Sequence, residues 1–529
     1  MELAAMIEKI SGSIMLSWGI KRFLIALLAG AFANLALPPF DFFGALFISF
    51  PVLVWLIDGA SDRPDKGYVA RRMPAFFTGW SFGFGYFTGG LWWLANAVIA
   101  SGDEALWALP LAIFALPALL AIFYGFAAAF SRILWSNGIG RIFALAACFG
   151  AFEYLRATLF TGFPWNTIGY AGMPIPIAMQ SAEVIGIFGV SIITVFIASV
   201  PALFATKHGL KAGLICASIM LCAHIGYGAV SLSLTEDQKT SHTVRLVQPS
   251  IDQAEKWDDK KRDEIFDTYL RLSSEVPKEG NERPSVIIWP ETAAPFILTK
   301  TPVALSKIAD TLKIGQVLIT GAVRLEENSG GQDNKYFNTI YVINDEGQII
   351  NSSDKVHLVP FGEYLPFEDL ARRIGLAPLA ETFGGFTAAD QRKILDVPNG
   401  LRLLPLICYE VIFPQYVDHA AYNVDAIINV TNDAWYGKTP GPYQHLRQAQ
   451  LRSVESGLPL IRAGNNGLSV MTDNRGRIIS GMDLNYIGIS DTVLTTRRIS
   501  FWDNISRNIA LLMLVLFFVI ISVANRTKN

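Results

Sequence analysis

Charge is what this chain has least of. Only 17% of its residues are Asp, Glu, Lys or Arg, against roughly 25% in soluble domains. The shortage is local: between Pro74 and Thr206 the only cations are Arg132, Arg141 and Arg156. No basic stripe exists, and the net charge is −2, which argues against a nucleic-acid partner. Cysteine is also rare. Cys148, Cys216 and Cys222 fall in apolar stretches, and Cys408 is alone in the polar part, so that part can form no internal disulfide. The six histidines are scattered. Neither His-Glu-x-x-His nor paired Cys-x-x-Cys occurs, so no metal or other cofactor is expected. A Gly-x-x-x-x-Gly-Lys-Ser/Thr phosphate loop, an internal repeat and low-complexity tracts are missing as well.

Apolar residues fill the gap: they make up 52% of the chain, and mean hydropathy is +0.37. Roughly 20 apolar residues cross a bilayer as a helix. Runs of that kind lie near 18–37, 42–58, 74–99, 107–131, 141–160, 181–205 and 211–233, with a last one near 508–525. The run 42–58 is short and follows Pro38-Pro39. The first run is read as a span rather than a cleaved signal, because no small-residue cleavage site stands out and further spans follow. Cations cluster in alternate loops: Lys9, Lys21 and Arg22; Arg63, Lys66, Arg71 and Arg72; Arg132 and Arg141; Lys207 and Lys211; Arg526 and Lys528. By the positive-inside rule the N-terminus is cytoplasmic and about seven crossings precede the polar segment. That segment then lies outside, and one further helix returns. The expected layout is a bundle over 1–234, an extracytoplasmic domain over 235–500, and a C-terminal helix with a short cytoplasmic tail over 501–529. A bundle of this size exceeds what anchoring requires, which points to substrate handling. Trp92, Trp93 and Trp107 read as interfacial belt residues. Glu153 and Arg156, near one end of a span, either pair or snorkel.

The polar segment alternates short β-rich runs with helical patterns. Strands are expected at 243–248, 285–290, 316–321, 401–408 and 426–430. Helices are expected near 257–275, 304–312, 414–421 and 443–456. Hairpins are expected across Asn344-Asp345-Glu346-Gly347 and around Asp473-Asn474-Arg475-Gly476. This describes a layered α/β domain with mixed sheets.

Three residues there carry chemistry. Glu291 ends the run Ser285-Val286-Ile287-Ile288-Trp289-Pro290. Partial desolvation at that place would raise its proton affinity, as suits a general base; alternatively it caps a turn. Lys355 lies in Asp354-Lys355-Val356-His357. A fixed ammonium there stabilises a developing oxyanion; read alone, it is equally a surface lysine. Its Ser-x-x-Lys spacing from Ser352 is a chance match, since the companion motifs of serine penicillin-binding enzymes are missing. Cys408 ends Leu403-Leu404-Pro405-Leu406-Ile407 and precedes Tyr409-Glu410. It is either a nucleophile that forms a thioester or a small core residue. Glu410 either shares the thiol's site or caps the next turn.

The order Glu, Lys, Cys, at separations of 64 and 53 residues, resembles the nitrilase superfamily, whose α/β/β/α sandwich carries that triad. The resemblance covers roughly 243–495. With flanking apolar helices it is similar to the membrane-embedded branch of that superfamily, the apolipoprotein N-acyltransferase family. Lys355 to Phe367, Cys408-Tyr409-Glu410, Asn429 to Gly437, Gly441 to His445 and Arg462 to Gly467 all match that branch. The resemblance assigns Glu363, Tyr409, Glu410 and Trp257 as supporting residues.

It also implies a reaction. A fatty acyl chain passes from a membrane phospholipid, phosphatidylethanolamine above all, to Cys408 and then to the α-amino group of an S-diacylglyceryl-cysteine on an apolipoprotein. The place implied is the bacterial inner membrane, with the catalytic domain on the periplasmic side and the enzyme acting as a monomer. The segment from Leu365-Pro366-Phe367 to Gly384-Gly385-Phe386 reads either as a lid or as a packed connection. Two other readings stay open: a membrane-tethered amidohydrolase using the same triad, and a transporter or scaffold without activity.

Overall fold

The computed structural model describes every residue except 1, 61–66, 234–237, 254, 257, 278–281, 328–333, 366–384, 418–422, 501, 503–504 and 527–529. The chain divides into two compact units. One comprises Met1–Thr235, Thr439–Arg447 and Asn504–Asn529; the other comprises Glu236–Lys438 and Gln448–Asp503.

The first unit is helical. Its elements are α1 (Glu2–Met15), α2 (Gly19–Ala33), α3 (Leu46–Asp58), α4 (Met73–Leu91), α5 (Leu94–Ala100), α6 (Leu116–Ser131), α7 (Gly140–Thr158), α8 (Pro176–Met179), α9 (Ala182–Ser199) and α10 (Leu210–Ser233). Five segments among the described residues are long and apolar enough to cross a membrane: Gly19–Ala36, Leu106–Ser131, Ala182–Phe204, Leu210–Ser233 and Arg507–Arg526. Phe43–Asp58 is a shorter apolar helix.

The helices over 74–99 and 141–160 fall outside that set for a physical reason. In α4, glycines replace larger apolar residues because neighbouring backbones approach closely: a Cβ on Gly79 would overlap Tyr124, and one on Gly85 would overlap Leu27. Small residues at helix contacts lower hydropathy and permit tight packing. In α7, Arg141, Glu153 and Arg156 are all buried. Glu153 Oε1 accepts from Tyr124 OH and from Ile168 N, each at 2.8 Å. Arg156 Nη1 donates to Trp165 O at 2.9 Å. Glu153 and Arg156 are therefore interior groups 3.9 Å apart, and snorkelling is excluded. Trp93 is also corrected. It is 1% exposed, and its Nε1 donates to Gly90 O at 2.9 Å, so it is a core residue. Trp92 and Trp107 are exposed. The run 74–99 is two helices, α4 and α5, and α9 is interrupted at Gly186, whose φ is +63°.

The second unit holds two six-stranded sheets. Its elements are β1 (Lys239–Gln248), α11 (Arg262–Ser274), β2 (Val286–Ile288), α12 (Pro302–Thr311), β3 (Val317–Glu326), β4 (Lys335–Ile343), β5 (Ile349–Asp354), β6 (Leu395–Val397), β7 (Leu401–Ile407), β8 (Ala426–Thr431), α13 (Pro440–Ser456), β9 (Leu460–Gly464), β10 (Ser469–Thr472), β11 (Ile478–Met482) and β12 (Gly488–Thr495). The remaining helix of the first unit is α14 (Arg507–Arg526). The sheet orders are β12-β1-β2-β3-β4-β5 and β11-β10-β9-β8-β7-β6. Strands β1, β2 and β3 are parallel, as are β7, β8 and β9.

Burial of both faces explains the nearly continuous apolar runs. Val244, Leu246, Val286, Ile288, Val317, Ile319, Ile340 and Val342 meet Leu403, Ile428, Val430 and Ile461 between the sheets. The alternate residues Val247, Ile287, Leu318, Tyr341 and Ile343 face α11 and α12. From Gln448 onward α13 belongs to this unit, with Ser453 Oγ 2.9 Å from Thr472 Oγ1. The result is a helix–sheet–sheet–helix sandwich. Arg245 fastens its edge through two 2.7 Å bonds to Asp491 on β12.

Candidate active site

Strand ends converge to make the site. Beyond β2 the backbone goes on pairing with β3: Trp289 N donates to Ile319 O at 2.9 Å, and Ala293 N to Gly321 O at 2.8 Å. A Cβ on Gly321 would stand 2.6 Å from Glu291 Cα, so only glycine lets β3 run this close beneath the carboxylate. The next residue, Thr292, has φ +43°, an uncommon conformation for a β-branched side chain. Lys256 holds that corner. Its Nζ donates to Glu291 O at 3.2 Å and to Thr292 Oγ1 at 2.5 Å.

The Glu291 carboxylate accepts a 2.7 Å bond from Asn338 Nδ2 on β4 and lies 3.6 Å from Lys355 Nζ. Lys355 directly follows β5 and is 1% exposed, which rules out a surface lysine. Its Nζ donates to Glu363 Oε1 at 2.8 Å. Asn338 reaches the same oxygen at 3.1 Å, and Val359 N donates to Glu363 Oε2 at 2.8 Å. Glu363 therefore neutralises Lys355 and folds the Lys355–Glu363 loop onto it.

Cys408 follows β7 at the start of a tight turn and is 6% exposed. Its φ of +50° is a strained value for a non-glycine residue, and such strain often collects at functional sites. Glu410 fixes the turn. Its Oε2 accepts from Ile407 N at 2.8 Å, and its Oε1 from Val356 N at 2.9 Å, His357 N at 3.0 Å and Arg392 Nη2 at 2.7 Å. Glu410 thus caps its own turn and also ties the lysine loop to the cysteine turn. Tyr409 is buried, with its ring 5.1 Å from that of Phe413 and 5.8 Å from that of His357. Trp257 and most of the expected lid lie outside the described residues.

The electrostatics assign different work to each group. Burial pushes the Cys408 thiol up to about 12; Glu291 adds to the shift and Lys355 opposes it. The thiol is thus protonated at rest, and an attack by its sulfur would need a base. Burial alone would pull Lys355 down, but Glu363, Glu291 and Cys408 outweigh it and hold the ammonium above its ordinary range. A group that keeps its proton stabilises charge rather than relaying protons. Lys256 goes the other way: burial lowers it to about 8, with Glu291 and Cys408 opposing. A thiol, a nearby carboxylate and a permanent cation can carry out nucleophilic acyl transfer.

Several members of this cluster carried no individual signal in the sequence. Lys256 sits in a charged stretch and reads as solvated. Asn338 lies inside a strand. Arg392 follows a polar loop. Thr431, Asp433 and Arg462 lie in segments whose residue pattern was distinctive but whose roles were open.

Comparison with known proteins agrees with these features. Residues 29–200 match the family model described as apolipoprotein N-acyltransferase N-terminal domain. Residues 243–503 match the carbon-nitrogen hydrolase model. The chain is 56% identical over 495 residues to an apolipoprotein N-acyltransferase of Rhizobium leguminosarum bv. trifolii, covering 92% of each chain. It is 53% identical over 500 residues to the Brucella suis enzyme of that name, covering 94% of each. With the Agrobacterium fabrum enzyme it shares 51% identity over 530 residues, covering 98% of this chain and 99% of the relative.

Proposed function

The chain belongs to the apolipoprotein N-acyltransferase family of the nitrilase superfamily, and on that premise we propose how its residues perform the transfer. It is an acyltransferase of lipoprotein maturation. Glu291 takes the Cys408 proton as sulfur attacks an acyl ester of a membrane phospholipid, phosphatidylethanolamine above all. The oxyanion is held by Lys355 and by backbone N–H groups at the cysteine turn. As the tetrahedral adduct collapses, the C–O bond breaks, Glu291 returns the proton to the leaving oxygen, and lysophospholipid departs. An acyl thioester remains on Cys408. The α-amino group of an S-diacylglyceryl-cysteine then attacks it; Glu291 accepts the amine proton, the C–S bond breaks, and the thiol is restored.

The observation carrying this reading is Lys355 Nζ, 2.8 Å from Glu363 and 3.6 Å from Glu291, in the same charge field as Cys408. About eight spanning helices, the bacterial inner membrane, a periplasmic catalytic domain and a monomer complete the proposal. Cys408→Ser is expected to lose nearly all transfer, at least ~10³-fold, assayed as N-acylated lipopeptide by mass spectrometry. Retained transfer would end the nucleophile assignment. Release of free fatty acid in place of N-acyl product would indicate a hydrolase.

A further inference from the structure

A ring of buried polar groups backs Cys408 and takes no part in the triad. Arg462 on β9 and Asp433 just after β8 are fully buried. Arg462 Nη2 donates to Asp433 Oδ2 at 2.7 Å, and its Nη1 donates to Asn429 Oδ1. Asn429 Nδ2 in turn donates to Leu406 O at 2.8 Å and reaches Cys408 O at 3.5 Å. Thr431 closes the ring: its Oγ1 lies 3.3 Å from Cys408 Sγ and 3.0 Å from Asp433 Oδ1. A Cβ on Gly467 would stand 2.8 Å from Asp433 Cγ, so the turn after β9 is moulded to this carboxylate.

The Thr431 hydroxyl has one proton and faces two acceptors. A thiol or thioester sulfur accepts weakly, whereas a carboxylate accepts strongly. A thiolate reverses that preference, because it carries full charge at the same distance. We propose that Thr431 is a catalytic residue: its hydroxyl donates to Asp433 while Cys408 is a thiol or thioester, and turns to Sγ whenever the sulfur is anionic. The Thr431 O–H bond stays intact throughout. In the first half-reaction the thiol proton goes to Glu291. In the second, the amine's attack breaks the C–S bond, the sulfur leaves as a thiolate held by Thr431, and it regains a proton from Glu291. Only anionic sulfur gains from this switch, so it favours the transition states over the resting states. The high proton affinity of the buried thiol is the obstacle it works against.

The inference rests on Cys408 as nucleophile, but its test does not depend on turnover. In the full-length enzyme, alkylation of Cys408 by iodoacetamide is followed against pH by peptide mass mapping. Thr431→Val keeps the shape and removes the hydroxyl. It is expected to alkylate ~10- to 100-fold more slowly than wild type near neutral pH, the range of a lost bond to a charged acceptor. Thr431→Ser is expected to restore most of the rate. Asp433→Asn removes the competing acceptor's charge and is expected to speed alkylation in enzyme that keeps its thermal midpoint, and to speed it less when Thr431→Val is also present, because no hydroxyl is then left to turn. The midpoint is checked because unfolding would expose the buried thiol and speed alkylation by itself. Thr431→Ala takes the place of Thr431→Val if that variant fails to fold. Wild-type alkylation by Thr431→Val at every pH, or no acceleration in Asp433→Asn, overturns the inference. Full activity in Cys408→Ser would instead overturn the proposed mechanism and leave these rates standing.

Discussion

Lys355 and Lys256 are both buried, both act on Glu291 and Cys408, and have opposite proton affinities. The difference is one carboxylate. Lys355 donates to Glu363, whereas Lys256 donates to a carbonyl and a hydroxyl. Glu363→Gln is therefore expected to leave Lys355 without its main counter-charge, so that burial prevails and the cation weakens. A fall in kcat of ~10²-fold or more is expected with KM nearly unchanged, measured by steady-state transfer. Lys256 makes a stability prediction. Its folded proton affinity, about 8, is below the unfolded value near ~10.4. Between those pH values the unfolded chain holds a proton that the folded one lacks, so this residue's contribution to stability rises with pH across the window. Below about 8 its burial penalty is fully present. Lys256→Met is expected to be more stable than wild type at pH 7 by up to ~3 kcal/mol, and the advantage is expected to shrink toward pH 10. Thermal midpoints across that range test this; a constant difference would contradict it.

Among the elements, strands with both faces covered were the most legible. Apolar runs in β2 and β3 stand out because the alternate side chains enter two different cores, and those in β7 and β8 because both faces of these strands are buried. The two hairpins were legible too, since Gly347 and Gly476 supply positive φ at their turns. Strands β9 and β12 were not. The first carries buried Arg462 and so breaks the apolar pattern, while the second mixes polar residues along a half-buried edge. The triad was visible as three punctuated strand ends, but the groups that hold it, Asn338, Lys256 and Thr431, are polar residues whose partners lie far along the chain. Gly321 shows what such packing demands. Gly321→Ala would force the Glu291 backbone aside at a 2.6 Å approach. It is expected to cost ~1–3 kcal/mol and to lower kcat more than conservative changes elsewhere on β3, read by thermal midpoint and transfer assay together.

At the scale of the whole molecule, hydropathy alone under-reports the helices that fill a bundle's interior. Helices α4 and α7 carry glycine, Glu153 and Arg156 because neighbouring helices, not lipid, surround those faces. The proposed orientation rests on the loop-charge pattern. Ile314 is 98% exposed on the sandwich. In a background without Cys148, Cys216 and Cys222, Ile314→Cys is expected to react with a membrane-impermeant maleimide from the periplasmic side of intact spheroplasts. Labelling only after lysis would reverse the proposed topology.

The acyl-enzyme on Cys408 is tested most directly by intact-mass analysis of the purified full-length enzyme mixed with phosphatidylethanolamine vesicles. A single fatty-acyl addition is expected, mapping to Cys408, missing from Cys408→Ser, and discharged as N-acyl product on adding a diacylglyceryl lipopeptide. An enzyme that transfers the acyl chain without ever carrying it on Cys408 would contradict the account.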